Sequence, residues 1–135
     1  MDGALWCWGR NNNGELGLGN SMTPISSPVQ VGSEKDWSQP VLGQGLSSCA
    51  AKQSGDLYCW GVGSYGQLGL GSLASPNTPQ KVPSVGGWSM ASFGNESACG
   101  VREDARLLCW GASNWAQLGS GIPMVSTPTL VLDPQ

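Results

Sequence analysis

The chain has 135 residues, 21 of them glycine and 9 proline, with 11% charged and a formal net charge of -3. So few charges exclude disorder of the charged kind, and so much glycine and proline excludes a helical protein. The sequence pI of about 4.6 offers a polyanion no general attraction, so nucleic acid is not expected as a partner.

Met1-Asp2-Gly3 begins nothing like a signal peptide, and no apolar run reaches the length of a membrane span. Direct membrane insertion is not expected, and a targeting segment would belong to a longer precursor. Along the chain, LWCWGRNNNGELGLG from Leu5 is the first of three copies of one unit. LYCWGVGSYGQLGLG from Leu57 and LLCWGASNWAQLGSG from Leu107 are the others, a period of about fifty residues. Pro28 to Val31 reads as a short strand whose leading proline fits a first residue or an edge. Trp37 to Leu42 is a second. Cys49 to Lys52 and Leu57 to Trp60 form a third and fourth around the turn-forming tip Gln53-Ser54-Gly55-Asp56.

The glycines Gly61, Gly63 and Gly66 have the order of a dinucleotide-binding loop, which needs a helix after it. Gln67-Leu68-Gly69-Leu70-Gly71 would cost a helix heavily, so these glycines are expected to serve turns. The next unit repeats the scheme with Pro79, Trp88, Cys99 and the tip Arg102 to Arg106. Four short strands per fifty residues indicate an all-β protein built of β-propeller blades, each a four-stranded antiparallel sheet. The expected division is an incomplete set of about two and a half repeats. Residues 1–24 end a truncated blade with its loop, 25–75 and 76–123 are complete repeats, and 124–135 are the first strand of a further blade.

The unit resembles the regulator of chromosome condensation family of repeats. Trp37, Gly43, Cys49, Leu57, Trp60-Gly61 and Gly66-Gln67-Leu68-Gly69-Leu70-Gly71 carry the likeness, with their counterparts one unit on. The chain departs from the pattern at Ala116 and Ser120, and the family's usual histidine is absent because the chain has no histidine. The resemblance implies a seven-bladed propeller, whose missing blades come from a longer chain or from partner subunits. It also implies a choice of roles. Nuclear members are nucleotide exchange factors for a small GTPase, while others are receptor ectodomains or secreted enzyme inhibitors; fold alone does not decide among them.

Cys49 and Cys59 are ten apart, as are Cys99 and Cys109, each pair flanking a hairpin tip. In an antiparallel hairpin centred near Ser54 residues 49 and 59 fall opposite each other, at about the spacing a disulfide needs. Two disulfides within blades are expected. Buried reduced thiols are the plainer alternative; a metal site finds no C-x-x-C and no histidine. By the same rule the partner of Cys7 lies before Met1, outside this chain. Disulfides imply an extracytoplasmic setting: secreted, cell-surface, periplasmic or within an organelle lumen. Asn95-Glu96-Ser97 is an N-glycosylation sequon that fits a eukaryotic secretory route.

Of the seven tryptophans, Trp8, Trp37, Trp60, Trp88 and Trp110 recur at repeat positions and are expected between blades. Trp6 and Trp115 do not recur as tryptophan, and Tyr65 shares the register of Trp115. These three are the candidate partner contacts, the alternative being that they cover the apolar part of their own turns. Catalysis has little to work with. The adjacent Glu103 and Asp104 point to opposite faces in strand geometry and read as a solubilising tip. No enzyme activity, cofactor or metal is expected. The functional expectation is a non-catalytic module that binds other protein chains as a peripheral subunit or ectodomain. The alternative is a guanine-nucleotide exchange factor or enzyme inhibitor of the same fold.

Overall fold

A computed structural model describes residues 2–43, 46–84 and 86–131. Among these residues ten strands form one two-stranded and two four-stranded sheets, all antiparallel. The first pairs β1 (Trp6–Gly9) with β2 (Ile25–Gln30). The second has the order β3 (Trp37–Leu42), β4 (Ser47–Lys52), β5 (Leu57–Gly61), β6 (Gln80–Lys81). The third repeats it with β7 (Trp88–Phe93), β8 (Ser97–Arg102), β9 (Leu107–Ala112), β10 (Met124–Leu130).

The strand at each repeat proline does not open a blade, as the sequence division supposed, and Pro28 lies inside β2 rather than at its head. Each such strand closes the preceding blade, so the units 25–75 and 76–123 each start one strand too early. The segment 124–135 likewise supplies the outer strand of the third sheet, pairing Met124 with Ala112 and Thr129 with Cys109. Its last four residues lie outside the described ones. The cause is loop closure. Gly61 N–H donates to the Pro76 carbonyl at 2.7 Å, and Gly63 N–H to Ser75 Oγ at 3.0 Å. The two ends of the glycine-rich connection are thereby tied together, and the returning strand lands beside β5.

Between the four-stranded sheets lies a core of Leu57, Leu68, Val82, Trp88, Phe93, Trp110 and neighbours. Strand alternation delivers it: Leu57 and Cys59, two apart on β5, are 1% and 0% exposed. Full burial of Trp110 alone removes on the order of 200 Å² from water, worth roughly 4–5 kcal/mol. That ring also has a defined polar contact across the joint. The Trp110 indole N–H donates to the Gln67 carbonyl at 2.9 Å, and Trp60 does the same to Glu15 at 3.0 Å. Each acceptor belongs to the glycine loop of the preceding sheet. Two residues further on, Gly17 and Gly69 sit so close that a Cβ on either would lie 2.8 Å from the indole nitrogen. Backbone bonds complete the joint: Gly19 N–H to the Asn77 carbonyl at 2.9 Å, and Gly71 N–H to that of Ser126 at 2.8 Å.

Trp8 departs from the expectation that all five recurrent tryptophans are buried. It is 59% exposed, because no sheet precedes the first within these residues. Trp37, Trp60, Trp88 and Trp110 are all buried.

Candidate protein-interaction surface

The three glycine loops are built alike, and the reason is local. In the second loop Gly66 N–H donates to the Gly63 carbonyl at 2.8 Å and Gly69 N–H to that of Gly66 at 3.0 Å. Two successive tight turns result, with Gly66 at φ +72° and Gly69 at φ +69°. That region costs a residue with a Cβ about 1–2 kcal/mol. The Gln67 side chain accepts from Tyr65 N–H at 3.0 Å, as Glu15 does from Asn13 and Gln117 from Trp115. The residue at the outer corner of each turn is held on a rigid support and displayed.

Those corner residues are Asn13, Tyr65 and Trp115. Tyr65 is 44% exposed and Trp115 89%, so the structure places both on corresponding loops of adjacent sheets. Trp6 stands apart on β1. It holds the place of Tyr58, which packs edge-on against Trp37 at 5.5 Å within its own sheet. The first sheet has no inner strand among these residues, and Trp6 remains 48% exposed.

The cysteines fall as the hairpin register requires. Cys49 faces Cys59 and Cys99 faces Cys109, each with Cα atoms 4.1 Å apart and sulfurs at bonding distance. Cys7 has no partner among the described residues, and burial raises its pKa. Asn95 is exposed in the β7–β8 turn, while Ser97 of the sequon begins β8 and is half-buried. At the other tip Asp104 pairs with Arg102 at 3.2 Å and Arg106 at 3.8 Å. The backbone N–H of Glu103, beside it in the turn, donates to the Gly87 carbonyl at 3.0 Å.

One polar cluster has no warning in the repeat pattern. Lys52 reaches Asp36 at 3.1 Å and Glu34 at 3.4 Å, and lies 5.0 Å from the centres of the Trp37 and Tyr58 rings. Desolvation pulls its pKa down, but the Asp36 hydrogen bond and the Glu34 charge outweigh it, leaving the pKa raised. Acidic residues at 34 and 36, just ahead of a strand whose first residue pairs with Lys52, were the available signal.

Consecutive four-stranded sheets joined through buried indoles, with aromatic residues raised on rigid turns, define a segment of a β-propeller that presents loops. The chain belongs to the regulator of chromosome condensation (RCC1) repeat family, whose pattern matches residues 2–50 and 54–101. It is 38% identical over 92 residues to the ultraviolet-B receptor UVR8 of Arabidopsis thaliana, covering 67% of this chain and 21% of the receptor. It is 37% identical over 82 residues to the probable E3 ubiquitin-protein ligase HERC3 of Homo sapiens, covering 60% of this chain and 8% of the ligase. Yeast RCC1 (Prp20), solved bound to Kap60, superposes with a TM-score of 0.84 at 18% identity over 96% of this chain and 33% of that one. Human WBSCR16 gives 0.82 at 22% identity, with the same coverage. The chain therefore spans about a third of these solved proteins, and the segment is a partial propeller. The comparisons lend no support to the expected absence of nucleic-acid partners.

Proposed function

We propose that this chain is a non-catalytic propeller segment that binds other proteins through its glycine-loop corners, in an oxidising, extracytoplasmic compartment. The observation that carries the reading is the pairing of Tyr65 and Trp115 on rigid turns of adjacent sheets, the second almost wholly exposed. Large, amphipathic rings with little conformational freedom to lose are the usual anchors of protein interfaces. The two facing cysteine pairs support that compartment, since a reducing cell interior would keep them as thiols. Cys7 then awaits a cysteine on the strand that pairs with the free edge of β1, and the exposed Asn95 is available to a glycan. A peripheral subunit or a receptor ectodomain fits these features.

A second reading has one observation in its favour. A solved relative, Prp20p of Saccharomyces cerevisiae, is described by its binding properties to Gsp1p and histones, at a TM-score of 0.83. On that reading the segment belongs to a regulatory exchange factor, and its thiols are reduced. Non-reducing peptide mapping of the native protein separates the two. Linked Cys49–Cys59 and Cys99–Cys109 peptides support the oxidised interaction module; five free thiols overturn it and leave the intracellular reading.

A further inference from the structure

The strands run between two faces of the segment, and charge is divided unequally between them. The hairpin tips and the links between sheets carry ion pairs such as Asp2–Lys35, Asp36–Lys52 and Asp56–Lys81. On the opposite face lie the glycine loops with the β3–β4 and β7–β8 turns. Its charged residues, among those described, are Arg10, Glu15 and Glu96. Arg10 and Glu15 lie 3.5 Å apart and neutralise each other. The same face exposes Met22, Leu46, Tyr65, Leu73, Trp115 and Ile122. Met22 and Leu73 remain 69% and 48% exposed although the next sheet is packed against each of their loops. An apolar face with so little charge is a solubility liability unless something polar covers it.

The chain has one N-x-S/T sequon, and it falls on this face. Asn95 is exposed at the corner of a tight turn that Gly94 N–H closes on the Ser97 carbonyl at 2.8 Å. The carbonyl of the next residue, Glu96, accepts from Ala112 N–H at 2.8 Å, and Ala112 leads through Ser113 and Asn114 to Trp115. The Asn95 corner is thereby fixed beside the root of the loop that raises Trp115.

We propose that Asn95 carries an N-linked glycan that covers the neighbouring part of the loop face and limits access to Trp115. In the transfer, the Asn95 amide nitrogen loses a proton and bonds the anomeric carbon of the first sugar, and the lipid pyrophosphate that carried the oligosaccharide leaves. The glycan is bulky and hydrated, so it supplies the polar cover that this face lacks. A partner that anchors on Trp115 then competes with it, and glycan occupancy sets how much of the interface is open. The inference rests on the extracytoplasmic reading above, because the transfer belongs to the secretory route.

The test uses protein from its native source. Peptide mapping shows whether Asn95 is modified, and enzymatic release of the glycan converts Asn95 to aspartate and so marks the site. Hydroxyl-radical footprinting then compares the glycosylated protein with the released one. Oxidation of Trp115 is expected to rise several-fold on release, while the buried Trp60 and Trp110 stay unchanged and serve as the internal control. An unmodified Asn95 overturns the proposal, and so does a glycan whose release leaves Trp115 oxidation as it was. The cysteine peptides of the same digest keep the two readings apart. Linked pairs with an unmodified Asn95 remove the glycan alone, whereas free thiols with an unmodified Asn95 remove the compartment as well.

Discussion

Alanine substitution at Gly17, Gly69 and Gly119 separates the backbone and packing contributions to the sheet-to-sheet joint. The three hold φ of +73°, +69° and +63°, so each substitution carries the same left-handed penalty, about 1–2 kcal/mol. At Gly17 and Gly69 the added methyl also lands 2.8 Å from an indole nitrogen. Those rings, Trp60 and Trp110, are 1% and 0% exposed and cannot retreat without stretching their bonds to Glu15 and Gln67. Overpacking of this kind adds about 1–3 kcal/mol, for a total of roughly 2–5 kcal/mol. At Gly119 the nearest heavy atom among the described residues is 3.7 Å away, and only the backbone penalty enters. Urea unfolding followed by circular dichroism reads the difference directly. If Gly119→Ala loses as much stability as Gly69→Ala, the indole contacts do not hold the sheets together in the way described.

Three further outcomes are expected. Replacing Cys99 and Cys109 together by alanine opens an eleven-residue ring and lowers stability by about 3 kcal/mol on the chain-entropy account, which the same urea titration measures. The Lys81 hydrogen bond, at 2.9 Å, holds the Asp56 carboxyl below its ordinary pKa of 3.8. The stability it contributes is present above that pH and lost as pH falls through the lowered value; Lys81→Ala is expected to reduce the acid slope, by less than about 1 kcal/mol for so exposed a pair. Trp115→Ala, at a position 89% exposed, is expected to leave the unfolding midpoint within about 0.5 kcal/mol of the parent while weakening capture of a protein partner. A shift beyond that places the ring in the structure of the loop instead of at an interface.

Much of the candidate surface was legible before any fold was known. Two cysteines ten apart around a short tip face each other because strand side chains alternate with period two, a local rule. The turn corners at Tyr65 and Trp115 were legible for a similar reason, since glycine marks the positions where the backbone must turn. The Gln67 and Glu15 carbonyls that receive the indoles had no side-chain signature, because any residue carries a carbonyl. Recurring tryptophans beside recurring G-x-L-G turns were the only trace of the joint.

What lay beyond the sequence was set by neighbours. Which sheet takes the strand after the glycine connection depends on how that connection closes, and Gly61 and Pro76 meet only once the chain has returned. Trp8 and Trp110 occupy the same place in the repeat, yet one is 59% exposed and the other 0%. The sequence by itself determined the strands, the turns and the facing cysteines, all governed by short-range geometry. The tertiary structure decided sheet membership and burial, because both depend on surface supplied by residues distant along the chain.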